Sequence, residues 1–298
     1  MSSFAAILKS RHEIVAAVTR PDAATGRGRH TTQSPVAQFA ADHNIPVLKP
    51  NRPSDDDFQD ALRQLAPDAC PVVAYGALIP PSALPIPVYG WINLHFSILP
   101  AWRGAAPVQH SILHGDDITG ATTFRLTEGM DTGPTFGVMT EALNQTDTAG
   151  QVLDRLAVSG AALLVATLDA IGDGTIEARE QPSDGVSLAP KLTTDDARIR
   201  WAEPAVGIDR RVRACTPAPG AWTTFHENRI KLGPVHPMPD LSEEPVPPGE
   251  FVVSKKSVRV GSGSDPVELT TVKPPGKREM LAVDWARGAR IESGDIFE

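Results

Sequence analysis

Three polar side chains in the first half of the chain have the types and spacing that acyl-transfer chemistry requires. Asn93 and His95 lie two residues apart in an apolar run, and Asp131 lies in a polar cluster between Gly129 and Gly133. On an extended strand, residues two apart project to the same face. An amide, an imidazole and a carboxylate brought together could stabilise a developing oxyanion and move a proton. The pattern therefore indicates attack of an amine on a carbonyl carbon.

Each member of this trio has a specific expected role. The amide of Asn93 and a donor on His95 would hydrogen-bond the oxygen where negative charge develops, and loss of one such donor costs about 3 kcal/mol of barrier. Asp131 would keep the imidazole of His95 protonated and oriented. An α-amine has a pKa of about 8, so it needs no strong base near neutral pH. Taken singly, Asn93 and His95 also fit polar groups at a strand end, and Asp131 fits a turn.

The elements that would position the trio are short apolar strands alternating with helices. A buried strand over residues 91–95 would carry Asn93 and His95, and two strands within 122–139 would flank the turn that holds Asp131. Further strands are predicted at 12–19, 46–49 and 72–76, and helices at 4–8, 35–44, 55–65 and 107–115. Thr148 and Gln151 form a capping box ahead of a long helix that reaches Ile171. This alternation predicts βαβ units and a parallel sheet.

The sequence changes character after Gly174. Residues 175–205 are polar and contain Gly and Pro, which predicts a linker. Short β-like runs follow at 229–232, 250–253 and 257–260, which indicate a small β-rich domain. The expected organisation is a catalytic domain over residues 1–174, a linker over 175–205 and a second domain over 206–298.

Composition excludes several classes of protein. The chain has 28 Lys and Arg against 36 Asp and Glu, and a formal net charge of −8 argues against polyanion binding over the whole surface. The two cysteines, Cys70 and Cys215, have no disulfide-scaffold or metal-site spacing, which favours a reducing, cytoplasmic location. The uncharged apolar stretch between Arg155 and Asp169 is too short to span a bilayer. We expect a soluble cytoplasmic protein with no membrane partner.

Motifs for nucleotide, metal or covalent chemistry are missing. Residues 26–28 read Gly-Arg-Gly, but no GxGxxG and no Walker lysine occurs. The acids at 55–57 fit the N-terminus of a helix better than a metal site. The sequence also has no HExxH, no CxxC and no serine in a nucleophile elbow. We predict chemistry that needs neither a metal nor a covalent intermediate.

The run over residues 93–109, NLHFSILPAWRGAAPVQ, closely resembles the 10-formyltetrahydrofolate-dependent formyltransferases, and among them the methionyl-tRNA formyltransferases. Other similar segments lie at 19–22, 26–28, 72–76, 78–80, 129–133 and 274–277. The resemblance covers nearly the whole chain. It implies an α/β fold in which a Rossmann-like catalytic domain with a mostly parallel sheet is joined to a small C-terminal OB-like β-barrel domain that helps hold tRNA.

The resemblance also implies a reaction and a set of site residues. A formyl group would pass from the co-substrate 10-formyltetrahydrofolate to the α-amine of methionine on initiator tRNA, in support of translation initiation, without a metal and on a monomer. The implied residues are the catalytic Asn93, His95 and Asp131, the folate-lining Ser97, Ile98, Leu99 and Pro100, and Arg27, whose loop reaches the acceptor end of the tRNA.

Basic residues of the second domain have two interpretations. They would form a phosphate-binding patch if several shared one face, and they are scattered solvated charges otherwise. For individual residues we favour scattered charge. The residues concerned are Arg210, Arg211 and Arg213 on a predicted helix, and Lys255, Lys256, Arg259, Lys273, Lys277 and Arg278 among β-like runs.

Two features depart from the family pattern. Residues 4–8 match what normally follows an opening strand and a Gly-Thr-Pro turn, so we expect the first strand to be missing and the sheet to have a gap. Ile98 stands where leucine is usual, a volume-conserving change of mild expected effect. Two alternatives stay open: a related formyltransferase acting on another amine, such as glycinamide ribonucleotide or an amino sugar nucleotide, and a truncated, inactive protein that binds tRNA or folate.

Overall fold

The computed structural model describes residues 1–25, 30–238 and 245–298, which form two compact units. The first unit contains residues 1–107, 119–142 and 154–189, and the second contains residues 108–118, 143–153 and 190–298. All three members of the trio belong to the first unit.

The chain up to residue 172 alternates strands and helices, as predicted. The elements are α1 (Ser2–Leu8), β1 (Ala17–Val18), β2 (Ala23–Thr25), β3 (His30–Thr32), α2 (Pro35–Asp42), β4 (Val47–Leu48), α3 (Asp56–Leu65), β5 (Cys70–Val72), β6 (Trp91–His95), α4 (Pro107–His114), β7 (Ile118–Arg125), β8 (Thr135–Ala142) and α5 (Ala149–Gly172).

Strand β6 is central to a four-stranded sheet of order β5-β6-β7-β8. It pairs in parallel with β5 and antiparallel with β7, so the sheet is mixed. Strands β1 and β4 form a separate parallel pair. Among the described residues, no strand joins this pair to the four-stranded sheet, which agrees with the expected gap.

One apolar cluster contacts both the β1–β4 pair and the four-stranded sheet. Phe58 and Leu62 of α3 are buried in it, together with Trp91 of β6, and Val18 of β1 packs against the same cluster. Burial of apolar side chains contributes roughly 25 cal/mol per Å² removed from water, without requiring a shared strand. Packing on α3 therefore holds elements together where backbone pairing does not.

Two predicted strands are shorter than the sequence pattern suggested. The run at 12–19 pairs only over Ala17–Val18, and the run at 72–76 contributes only its first residue to β5, which begins at Cys70. Ala74 and Gly76 have φ angles of +49° and +77°. Left-handed residues turn the chain away from an extended path, so apolar composition alone placed the strand too late.

From residue 154 onward, the long helix α5 lies in the core of the first unit. It is the one helix of the described residues that is long and apolar enough to cross a membrane by length and composition. Its Leu164 and Leu168 are buried in a cluster with Ile92 and Leu94 of β6, the contacts of a core helix. Burial of this face places α5 directly behind the strand that carries Asn93 and His95.

The second unit contains most of the antiparallel strands. Its main elements are α6 (Ala205–Ala214), β9 (Trp222–Phe225), β10 (Asn228–Leu232), β11 (Val235–Pro237), β12 (Phe251–Val253), β13 (Val258–Val260), β14 (Val267–Leu269), β15 (Thr271–Lys273), β16 (Met280–Leu281) and α7 (Ala282–Ala289). Two four-stranded sheets, β16-β15-β10-β9 and β11-β14-β13-β12, share one core that includes Ile208, Ile230 and Phe251. The predicted small β-rich domain is confirmed.

The capping box at the start of α5 is formed, and it supplies a test of local stability. The backbone amide of Gln151 donates to Thr148 Oγ1 at 3.4 Å, and the backbone amide of Thr148 donates to Gln151 Oε1 at 2.9 Å. Thr148→Ala removes the first bond, so we expect the free energy of unfolding to fall by about 1 kcal/mol in chemical denaturation. Thr146→Ala makes the same change at an exposed position and should cost under about 0.5 kcal/mol. Equal losses in both variants would contradict the capping role.

Candidate active site

Strand β6 presents Asn93 between two neighbouring strands. Its backbone lies opposite Val72 of β5 and Phe124 of β7. The Asn93 side chain is half-buried, and within the described residues it makes no hydrogen bond. A half-buried amide without a partner can donate to a ligand without breaking an existing bond.

His95, two residues along the same strand, is almost completely buried, with 7% of its side chain exposed. Its Nε2 lies 2.9 Å from the carbonyl oxygen of Trp102. Its Nδ1 lies 3.7 Å from Oδ2 of Asp131. A carbonyl oxygen only accepts, so Nε2 carries the hydrogen and donates it to Trp102.

Burial decides the protonation state of this imidazole. It lowers the pKa of His95 below the ordinary value, while the charge of Asp131 and the hydrogen bond to Trp102 raise it by less. A lowered pKa favours the neutral imidazole near neutral pH, whereas the role expected for Asp131 was to hold the ring protonated, and that role stays a prediction. With its hydrogen on Nε2, the ring has a lone pair on Nδ1. The 3.7 Å separation from Asp131 is too long for a hydrogen bond.

Asp131 lies in the turn that the flanking glycines predicted. Its φ angle is +52°, in the left-handed region, which costs a non-glycine residue about 1 kcal/mol. Its Oδ2 accepts a hydrogen bond of 2.7 Å from the backbone amide of Gly104. A Cβ atom on Gly133 would lie 1.8 Å from the carbonyl oxygen of Arg125, so only glycine allows this close return to β7. The turn therefore directs the carboxylate toward His95.

The four residues expected to line a folate site have different environments. The Ser97 hydroxyl is fully buried and donates to the Ala101 carbonyl at 2.6 Å, so it shapes the loop and is not free for a ligand. Leu99 is also buried, whereas Ile98 and Pro100 are partly exposed. Thr122 of β7 holds this loop, because its Oγ1 donates to the Ser97 carbonyl at 2.7 Å and accepts from the Leu99 amide at 3.1 Å.

Residues that the sequence assigned to a linker hold the loop after Pro100. The amide of Trp102 donates to Ser187 Oγ at 2.9 Å, and the amide of Arg103 donates to the Ser187 carbonyl at 2.9 Å. The Ala189 amide donates back to the Arg103 carbonyl at 2.7 Å. Irregular backbone has no periodic sequence signal. Thr122 could have been noticed as a buried polar residue on a strand, but nothing in the pattern of 181–189 marks its contacts.

Other site expectations have separate outcomes. The role expected for Arg27 falls on a residue outside the described ranges. Within those ranges, no three His, Cys, Asp or Glu side chains cluster as metal ligands. The site itself offers the amide of Asn93, without a partner among the described residues, on the same strand as His95, and the pair of His95 and Asp131 can take up a proton.

Comparison with known proteins identifies relatives of both parts of the chain. A family model for formyl transferase matches residues 3–168, and one for the formyl transferase C-terminal domain matches residues 191–290. A methionyl-tRNA formyltransferase from Salinispora arenicola is 58% identical over 295 residues, 99% of this chain and 95% of that protein. One from Thermobifida fusca is 60% identical over 295 residues, 99% of this chain and 94% of that protein.

A solved structure shares the fold at low sequence identity. It is an N-formyltransferase from Helicobacter canadensis in complex with folinic acid and dTDP-3-aminofucose. The TM-score is 0.63 at 15% identity, covering 93% of this chain and 94% of that one. At this identity the likeness supports the α/β fold alone.

Removing the Asp131 charge tests the electrostatics of the pair. In Asp131→Asn the attraction that raises the pKa of His95 is lost while burial remains, so we expect that pKa to fall further. An NMR titration of imidazole carbons measures it, and His95→Gln identifies the signal among 8 histidines. Asp60→Asn removes a charge at an exposed position of α3 and should change nothing. A rise of the His95 pKa in Asp131→Asn would rule Asp131 out as its charge partner.

Proposed function

The chain belongs to the formyl transferase family, and on that basis we propose that it transfers the formyl group of 10-formyltetrahydrofolate to the α-amine of methionine on initiator tRNA. Identity of 58% and 60% to two methionyl-tRNA formyltransferases, over 99% of the chain, supports this acceptor. The observation that carries the chemistry is the free amide of Asn93 on the same strand as the buried His95, whose Nδ1 lies 3.7 Å from Oδ2 of Asp131 in the neighbouring turn.

Asn93 is the donor that we assign to the formyl oxygen. As the amine attacks, negative charge builds on that oxygen. A donor already held in place stabilises this charge more than it stabilises the starting carbonyl, and that difference lowers the barrier. The Asn93 side chain suits this role because β5 and β7 fix its backbone while its amide has no other partner in the described residues.

His95 and Asp131 are assigned to the proton. The amine must lose a proton as its nitrogen bonds to the formyl carbon, and the folate nitrogen must gain one as its bond to that carbon breaks. A proton taken up at Nδ1 makes an imidazolium that the Asp131 carboxylate, 3.7 Å away, stabilises. Nε2 stays bonded to the Trp102 carbonyl. His95 would therefore help the oxyanion through the positive charge of its ring, not through a direct hydrogen bond.

The folate is expected to lie along the loop that follows β6. Ile98 and Pro100 are partly exposed and could contact it, while Ser97 and Leu99 support the loop from within. We propose that residues 1–174 catalyse, that 206–298 hold the tRNA and that 175–205 link them, with 175–189 also supporting the catalytic loops. The reaction is placed in the cytoplasm and the chain is taken to act as a monomer.

One face of the second unit is suited to the phosphates of tRNA. Arg229 and Lys231 alternate along β10 with the buried Ile230 and Leu232, so both point outward. Lys231 lies directly opposite Lys273 of β15. Like charges facing each other across a sheet are destabilising, and a bound anion removes that cost. No ion pair to any of these three cations occurs within the described residues.

An aromatic ring connects a fourth cation to this group. The guanidinium of Arg229 lies 3.9 Å from the ring centroid of Trp222, and that of Arg198 lies 5.5 Å from it. Guanidinium groups held on a ring are well placed to bind phosphate oxygens in pairs. We call Arg198, Arg229, Lys231 and Lys273 the basic face. By contrast, Arg211 and Arg213 of α6 bond to Glu203 and Asp209, so they serve the fold.

Replacing the oxyanion donor tests the chemistry. In Asn93→Ala we expect kcat for formylation of Met-tRNA to fall about a hundredfold with the KM values of both substrates nearly unchanged, because the donor acts mainly in the transition state. Steady-state assays with the two substrates varied in turn measure this. Asn51→Ala, at an exposed position of the same unit, should leave both constants unchanged.

The acceptor is tested in the same assay with the unaltered protein. Met-tRNA, glycinamide ribonucleotide and a dTDP-amino sugar are offered with one formyl donor. If the formyl group is transferred only to an acceptor other than Met-tRNA, the proposed acceptor is wrong. Tight tRNA binding without turnover would indicate an inactive binding protein.

Removing charge from the basic face tests the tRNA contact. In the double variant Lys231→Ala, Lys273→Ala we expect the Kd for tRNA to rise about tenfold, and the slope of log Kd against log salt to fall by about 2. The KM for folate should not change. Filter binding over a salt series measures both quantities. Lys255→Ala, Lys256→Ala removes two exposed charges from the turn after β12, and an equal loss there would mean that only total charge matters.

A further inference from the structure

Gln181 uses the full hydrogen-bonding capacity of its side-chain amide between two loops of the site. Its Nε2 donates to the carbonyl oxygens of Asp131 and Gly133 at 2.8 Å each. Its Oε1 accepts from Nε and Nη2 of Arg103 at 3.1 Å and 2.6 Å. Carbonyls only accept and a guanidinium only donates, so the amide fits in one orientation alone. Gln181 therefore acts as a directional bridge.

The bridge connects Asp131, which faces one nitrogen of His95, with Arg103, the neighbour of the residue that bonds to the other nitrogen. Arg103 directly follows Trp102, whose carbonyl oxygen is 2.9 Å from Nε2. Asp131 has its Oδ2 3.7 Å from Nδ1. Gln181 bonds to the backbone of Asp131 and to the side chain of Arg103, so it links the two loops whose residues face the two nitrogens of His95.

The geometry at Asp131 is sensitive to this support. Its left-handed backbone, with φ of +52°, is not the conformation that a free aspartate prefers. The 3.7 Å separation from Nδ1 is less than about 1 Å longer than a hydrogen bond. A displacement of about 1 Å can cost a hundredfold in rate when it separates reacting groups. Support for this turn therefore determines whether the Asp131 carboxylate lies close enough to stabilise a proton on Nδ1.

We propose that Gln181 is a positioning residue that sets the separation between His95 Nδ1 and Asp131 Oδ2. It touches no substrate atom in this role. The proposal rests on the assignment of that pair to proton transfer in the proposed formyl transfer. The groups that face His95 are the Asp131 carboxylate, the Trp102 carbonyl and the Phe124 ring, while the Arg103 guanidinium is directed at Gln181.

The principal variant is Gln181→Met, which keeps the length of the side chain and removes all four bonds. We expect kcat to fall at least about tenfold, with both KM values changed less than about twofold. With Asp131 less well held, its effect on His95 weakens. The limb of the pH–rate profile that His95 governs should therefore move to lower pH, and the His95 pKa measured by NMR should fall with it.

A second variant covers the case in which Gln181→Met folds poorly. Gln181→Asn keeps the amide but shortens it by one methylene, so it reaches one loop and not both, and its effects should lie between those of the unaltered protein and Gln181→Met. Gln64→Met makes the same substitution as the principal variant at an exposed position of α3 and should leave kcat and the pH profile unchanged.

The outcomes separate positioning from general support of the fold. A lower kcat with an unchanged His95 pKa and a lowered melting temperature would overturn the proposal, as would unaltered kcat and pH profile in both variants. The NMR titration needs no turnover, so it tests Gln181 even if the chain formylates no Met-tRNA. Loss of the proposed function and loss of the Gln181 proposal are thereby distinguishable.

Discussion

The hydrogen bond from His95 Nε2 to the carbonyl oxygen of Trp102 is the interaction on which the site depends. It assigns the hydrogen of the neutral ring to Nε2 and so leaves a lone pair on Nδ1, facing Asp131. It also joins the regular strand β6 to the irregular loop that follows Pro100. Burial of the ring lowers its pKa, which favours the neutral imidazole, so the pair of His95 and Asp131 can accept a proton.

That arrangement requires backbone that is unfavourable on its own. Trp102 and Asp131 both have left-handed φ angles, of +60° and +52°. Each conformation costs about 1 kcal/mol and persists only where surrounding bonds outweigh it. Ser187 supplies such bonds to the first loop, and Gln181 and the Gly104 amide supply them to the second. Rigidity at this site therefore comes from the irregular segment 181–189, which is hydrogen-bonded to two strained loops, while β6 supplies the regular strand that carries Asn93 and His95.

Charge distribution, and not total charge, governs what the second unit can bind. The chain has a formal net charge of −8, yet the basic face has no ion pair within the described residues. Arg211 and Arg213 of α6 are also close together in the sequence, but their charges are neutralised by Glu203 and Asp209. A phosphate-binding surface can thus exist on an acidic protein, because screening confines each charge to about 8 Å at physiological salt.

The sequence by itself determined most of the elements near the site. Strand β6, helices α2 to α4 and the capping box of α5 follow from apolar periodicity and turn chemistry, which are local properties of the chain. It also identified the three side chains that β6 and the turn at Asp131 bring onto one surface, and the resemblance carried by residues 93–109 pointed to the family. The start of β1 at Ala17 and the end of β5 at Val72 were missed. Beyond Val72, the left-handed Ala74 and Gly76 turn the chain, and apolar composition does not reveal backbone direction.

Only the tertiary structure decided how those side chains are set. The neutral state of His95 depends on burial by distant residues, and the inward-facing hydroxyl of Ser97 depends on the approach of Ala101. Gln181 bonds to Arg103, 78 residues earlier in the chain, and to Asp131, 50 residues earlier. Arg229 and Lys273 share a face only because β10 pairs with β15. Local sequence patterns determine which elements form, but protonation, long-range hydrogen bonds and shared charge depend on distances that exist only after the chain has folded.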